Sequence, residues 1–351
     1  MTQRTIAGLL AVPLLLALWV AAAFESLPYV TYSPGLTVNV LGDNDEGKPI
    51  IEIEGKPTYA DDGQLRMTTV YVSRRNAHNG LFEVMRDWVS PSRAVYPKDA
   101  IYPEGGTVEQ DRQEGQAEMT SSQDAATAAA LTQLGYDVTE AVVAGIEKGS
   151  PADGVLKTDD VILGVNDTKV ASSDELVAAV SAAPVGKEIY FDVRRKGKPL
   201  ALSLTPREVD GRPQVGIQVA TKTTDFPVDV TIGIDPSIGG PSAGLMFSLG
   251  IYDTLTKGSL TDGKTIAGTG TIDAAGNVGP IGGIQQKIVG ARDAGAELFM
   301  VPPDNCDEAI GARNGDMRLV EAPSTESAID SIKKWVADPD ATLPTCGDDA
   351  A

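Results

Sequence analysis

Ser242 sits in Gly239-Gly240-Pro241-Ser242-Ala243-Gly244, whose last five residues fit the G-x-S-x-G pattern around a hydrolase nucleophile. Pro241 suits the first turn of a helix, and SAGLMFSLGIYDTL continues as a largely apolar segment, which predicts a buried helix starting beside the serine. Amides at such a helix start could hold an oxyanion. The same residues could also be a plain helix cap. A serine hydroxyl needs a base, and the chain of 351 residues has a single histidine, His78. The order serine, acid, histidine is excluded, because no histidine follows Ser242. Orders with the histidine upstream would have to use His78, which lies in the polar, turn-like stretch RRNAHNG and reads as a surface residue.

A lysine can serve instead when burial keeps its amine neutral. Of the five lysines after the serine, Lys257 and Lys264 flank a polar turn, and Lys333 and Lys334 fall in an amphipathic helix whose solvated face can hold them. Lys287 differs. In IGGIQQKIVGARDAGA a helix sets Gly283, Ile284, Gly290 and Ala291 three or four positions away on its own face. Such neighbours desolvate an amine and leave room for another side chain to approach. The plainer alternative is a lysine snorkelling along the helix edge. GSLTDGKT, Gly258 to Thr265, fits the phosphate-loop pattern, but a helix precedes it and the strand TIAGTGTI follows. That context makes it a helix-to-strand turn.

GGPSAG followed by GTGTIDAAGNVGPIGGIQQKIVGARDAGAELFMVP resembles the proteolytic domain of Lon-type peptidases, with the serine in P-S-A-G and the lysine in G-G-I-x-x-K. The two motifs lie 45 residues apart in the family's order. The resemblance implies Ser242 as nucleophile, Lys287 as general base and Thr269 as a residue orienting the lysine, with Gly240 and Ala243 in support. Two positions depart: Gly239 stands where many Lon proteins have Asp, and Thr271 where they have Glu. Lon proteins normally carry an ATPase module, for which the rest of this chain has neither room nor motif, so no ATP and no cofactor is expected. Rings are common among Lon-like domains, and a homo-oligomer is implied on that ground alone.

The run VVAGIEKGSPADGVLKTDDVILGVNDTKVASSDELVAAV resembles the bacterial PDZ domain, in which G-S-P-A, D-V-I and V-N-G recur in that order; Asn166-Asp167 replaces the usual Asn-Gly. PDZ domains take extended peptides as an added strand. The resemblance places the carboxylate-binding loop near Leu134, Gly135 and Tyr136, with Asp137 beside it as an unfavourable charge.

Upstream, nineteen uncharged residues, Ile6 to Phe24, follow Arg4 and precede Glu25. That length can cross roughly 30 Å of hydrocarbon as a helix, and the charge bias places the bulk of the chain outside the cell membrane. Ala21-Ala22-Ala23 offers a cleavage site, but the apolar run exceeds a signal-peptide core and favours a retained anchor. A net charge of -20 argues against nucleic acid. Cys306 and Cys346 could pair outside the cytoplasm or remain thiols, and with one histidine they make a structural zinc site unfavourable, so no metal is expected.

The expected fold is mixed α/β, or α+β, in segments. These are residues 1–5 in the cytoplasm, an anchor at 6–24, a β-rich juxtamembrane region at 25–125, a PDZ domain at 126–208, a Lon-like proteolytic domain at 213–338 and a disordered acidic tail at 339–351. Within this plan a helix is expected from Ser121 to Gly135. The functional expectation is a single-pass, membrane-anchored serine endopeptidase acting on extracytoplasmic polypeptides. A PDZ-based adaptor with an inactive or self-cleaving peptidase fold is the alternative, and a structural envelope protein a third.

Overall fold

The computed structural model describes residues 3–347, with the side chains of 3–8 and 21–24 outside the description. Apolar helix formers build α1 (Gln3–Phe24), whose described side chains, Leu9 to Val20, are exposed. Among the described residues no helix is long and apolar enough to cross a membrane, so the span expected at 6–24 is not carried by them. Alternating apolar residues then form β1 (Tyr29–Asn39), the short β2 (Ile51–Glu54) and β3 (Gln64–Val72). β1 and β3 pair antiparallel from Tyr32↔Val72 to Asn39↔Arg66. The amphipathic α2 (Leu81–Val89), β4 (Ala94–Pro97) and the one-turn α3 (Lys98–Ile101) follow.

α4 (Val108–Gln133) begins at a capping box, in which Thr107 and Gln110 exchange side-chain-to-backbone hydrogen bonds. It therefore starts well before the expected Ser121, and the stretch up to residue 118 is not mainly β. The overlooked signal was Thr107-x-x-Gln110, which satisfies two amides that would otherwise lack partners.

The middle of the chain forms a sheet over one helix. Its elements are β5 (Thr139–Ile146), β6 (Val161–Val165), β7 (Thr168–Lys169), α5 (Ser173–Ser181), β8 (Ile189–Arg195) and β9 (Lys198–Leu204). They pack around Ile162, Leu176, Phe191 and Val193. The boundary expected at Arg212-Pro213 falls instead inside a hairpin of β10 (Arg207–Val209) and β11 (Arg212–Gln214). The unit ends only after β12 (Ile217–Thr223), which pairs along β5 and gives the strand order β12-β5-β6-β8-β9. Pro213 marks a two-stranded ribbon there, a place that tolerates a missing amide, and not a linker.

The last part contains β13 (Asp229–Ile232), α6 (Gly244–Leu255), β14 (Thr265–Gly268), β15 (Thr271–Ile272), β16 (Val278–Gly279), α7 (Ile284–Asp293) and β17 (Leu298–Val301). A 3₁₀ turn, Pro303–Asn305, leads to α8 (Cys306–Ala309), β18 (Arg318–Glu321) and α9 (Thr325–Ala337). Its main sheet has the order β18-β17-β14-β3-β1-β4. Residues 25–125 are thus no unit of their own. β3 joins β14 in parallel from Gln64↔Thr265, β2 pairs with β13, and α4 lies against α6. Pairing across so long a separation leaves no local mark in the sequence.

The segment expected as a disordered tail is ordered to residue 347. Leu343 is buried in the core, the Glu321 amide donates to Pro344 O at 3.0 Å, and Cys346 is bonded to Cys306. Residues 348–351 of that expectation lie outside the described residues. The disulfide closes a separation of 40 residues. In the chain-entropy picture such a link contributes about 4 kcal/mol, so reduction should lower the urea midpoint accordingly, measured with and without reductant.

Candidate active site

Ser242 lies in the turn between β13 and α6, and two elements grip that turn from opposite sides. From α4, the Gly115 carbonyl accepts from the Gly240 amide at 2.8 Å, and Ser122 Oγ donates to Pro241 O at 2.9 Å. Gly240 has φ +91°, the left-handed region that glycine adopts without strain. A Cβ on Gly239 would stand 3.1 Å from the Gly115 carbonyl carbon, so a larger residue here would press on the backbone of α4. From the other side, Ser242 O accepts from the Gly270 amide and from Thr269 Oγ1, both at 2.9 Å. Gly268 must also be small, since a Cβ would meet Met246 Sδ at 2.7 Å. Ala243, buried, caps α6, which starts at Gly244.

α7 enters through Gly283, at φ +71°, and its fourth residue is Lys287. Lys287 is 2% exposed. Nζ lies 2.6 Å from Ser242 Oγ and donates to Thr269 Oγ1 at 2.9 Å. Burial alone pushes the ammonium down to about 7, so a large share of the lysine is neutral at neutral pH and its lone pair faces the hydroxyl. The thread Lys287 Nζ, Thr269 Oγ1, Ser242 O ties the amine and the serine to one frame. Thr269→Val should lower kcat by about 10- to 100-fold with little change in KM, while Thr269→Ser keeps most activity, in steady-state peptide hydrolysis.

Ser242 and Lys287 line one cavity of about 770 Å³, walled by Tyr32, Val38, Thr68 and Val70 of β1 and β3, by Ile234, Asp235, Ser237 and Ile238 and by Pro280 to Gly282. Thr271 also lines it. A carboxylate at that position would favour the charged amine. Thr271→Glu should therefore move the acid limb of a kcat/KM profile for peptide hydrolysis up by about one pH unit and lower the rate at pH 7.

The other sequence-derived residues fall elsewhere. His78 is exposed and off the cleft lining. Lys257 is exposed, and Lys264 and Lys333 lie over the Trp335 and Tyr252 rings at 4.9 and 5.3 Å. GSLTDGKT is the turn from α6 to β14. Leu134, Gly135 and Tyr136 are not at a free sheet edge: Leu134 caps α4, Gly135 has φ +84°, and Tyr136 packs with Val138, Phe226 and Val228. Its loop is a seam between the two units, and β5, which follows it, is paired on both sides. Gly115 and Ser122 were missed, because nothing in their local sequence marks a helix that will buttress a loop about 120 residues away, and Gly270 because its amide acts through the backbone alone.

Residues 109–205 match the family model of the PDZ domain, and residues 210–313 that of the Lon protease (S16) C-terminal proteolytic domain. The chain thus combines a PDZ domain with a Lon-type proteolytic domain. Lon protease 2 of Bacillus subtilis is 24% identical over 200 residues, 57% of this chain and 34% of that protein. Lon protease 1 of the same organism is 31% identical over 161 residues, 43% of this chain and 20% of that protein. A Lactococcus lactis protein named for zinc metalloprotease activity, LL2128, is 40% identical over 97 residues, 27% of this chain and 22% of that protein. The chain spans about a third or less of the length of these relatives. Among the described residues no group of three His, Cys, Asp or Glu side chains could hold a metal ion.

Proposed function

We propose that this chain is a membrane-anchored serine endopeptidase that cleaves extracytoplasmic polypeptides with a Ser242–Lys287 dyad and without ATP. The observation that carries the reading is the 2.6 Å contact between a buried amine and the Ser242 hydroxyl. Neutral Nζ accepts the Oγ proton as Oγ attacks a peptide carbonyl carbon. The resulting oxyanion is received by amides at the start of α6, where the Ser242 and Ala243 amides donate to no other described group. The Lys287 ammonium then gives its proton to the departing amine, leaving an acyl-enzyme, and a water deprotonated by Lys287 releases the acid and restores the serine.

The PDZ unit supports peptide capture at a different place from the one read in the sequence. β12 is an edge strand with α5 beside it, where Thr221 Oγ1 accepts from the Ser173 amide at 2.9 Å. An extended substrate could add to that edge. The anchor reading rests on the uncharged run Ile6 to Phe24 and on the exposed apolar side chains of α1. Assembly into a homo-oligomer belongs to the same reading.

Hydrolysis of casein and peptide libraries without ATP, with mass spectrometry of an acyl adduct formed by a peptide β-lactone, tests the proposal. Cleavage and an adduct on Ser242 are expected. A folded protein that neither cleaves nor acylates between about pH 6 and pH 9 would make the chain a binding protein.

A further inference from the structure

Phe82, Met85 and Val89 recur at helical spacing on one face of α2, with Trp88 beside them. They are 43%, 54%, 81% and 75% exposed. The opposite face is fastened: Val84 is buried, and the buried Asp87 carboxylate accepts at 3.1 Å from Arg93, which lies beyond the end of the helix. α2 cannot roll to hide its apolar face without exposing Val84 and breaking the Arg93–Asp87 pair. A contiguous apolar patch held open on a fixed helix marks a contact surface.

The neighbouring chain identifies what covers it. The Trp19 ring of α1 lies 4.9 Å from the Phe82 ring. Just past α1, Ser26 bridges to Gly80, the residue that caps α2, and the Leu27 amide donates to Asn79 O at 3.0 Å. α2 therefore starts at the level where the chain leaves α1, and its apolar face continues the exposed leucines and valines of that helix. We propose that α2 lies in the surface layer of the same lipid bilayer, with Phe82, Met85, Trp88 and Val89 at the boundary between headgroups and acyl chains. Helices with such a face sink roughly 5–10 Å into that layer, and tryptophan is favoured there. α2 connects β3 to β4, and β3 walls the cleft, so a seated α2 holds the Ser242 cleft at a fixed height above the lipid. This inference rests on α1 being the anchor.

The test uses the full chain in phosphatidylcholine and phosphatidylglycerol vesicles. Of the three tryptophans, Trp335 is buried in the core at 4% exposure, so Trp19→Phe leaves Trp88 as the one that lipid can reach. Lipids brominated near the headgroup should remove about half of the Trp88 emission, and lipids brominated near the chain ends clearly less. Trp88→Phe in the same background should abolish the response. Protein that withstands a carbonate wash but shows no quenching overturns the α2 proposal and leaves the anchor standing; so does quenching replaced by Trp88-dependent crosslinks to a second copy. Protein released by the wash overturns the anchor reading, and the α2 proposal with it.

Discussion

Ser242→Ala and Lys287→Ala each lower kcat/KM for a peptide substrate by about 10⁴-fold or more, and the double variant is no slower than either single one. The non-additivity follows from the geometry. Oγ and Nζ form one device at 2.6 Å, so removing either partner leaves the other with no proton to give or accept. His78→Ala leaves the rate unchanged, since that side chain is exposed and off the cleft lining. In the wild type, kcat/KM rises with pH through an acid limb near 7, because the neutral amine is the active form and burial has pushed its pKa to about 7. A profile that instead falls on raising the pH from 6 to 8, or a Lys287→Ala variant within about tenfold of wild type, would remove the dyad from the mechanism.

The residues of the candidate site were legible because they sit in short, contiguous motifs. Pro241-Ser242-Ala243-Gly244 and Gly282-Gly283-Ile284 with Lys287 carry the residue types and the helix starts that place them, and Lys287 stood apart from the other four lysines on its neighbours alone. The scaffold around the chemistry was less legible, because it is assembled across distance. β1 and β3 alternate as strands should, yet nothing in residues 64–72 says that the second partner of β3 lies at 265–268. Gly239, a departure in the sequence, packs against the Gly115 backbone of α4, which no local pattern announces. Leu343 and Cys346 sit in an acidic, proline-containing segment whose composition suggests disorder, and one apolar side chain with one disulfide outweighs that composition. Leu134 to Tyr136 were assigned by motif order, which cannot tell a sheet edge from a seam. Only the pairing of β12 along β5 makes that distinction.

Lys287→Met raises the stability of the folded protein at pH 7 by on the order of 3 kcal/mol while abolishing cleavage. The folded-state pKa is lowered from 10.5 to about 7, a difference of some 3.5 units, so between those values the unfolded chain holds a proton that the folded chain has released. Stability from this group therefore rises with pH across that window and is least below it. At about 1.4 kcal/mol per unit the full penalty approaches 5 kcal/mol, and the lost contacts to Ser242 and Thr269 offset part of the gain when methionine fills the same volume.

Asp253 acts in the opposite sense. Burial, and then the Asp61 and Asp62 charges, raise its carboxyl from 3.8 to about 7, against the Leu260 amide that favours the anion. The folded chain keeps a proton there that the unfolded chain has lost, so this contribution falls as pH rises from about 4 to 7. The two groups together predict a stability minimum near pH 7. Lys287→Met should remove its alkaline side and Asp253→Asn its acid side, read as urea midpoints at steps of one pH unit. If Lys287→Met were less stable than wild type at pH 7, the amine would be charged and well solvated in the folded state, and it could not serve as the base. The same desolvation that weakens the fold is what leaves the lysine free to take a proton from Ser242.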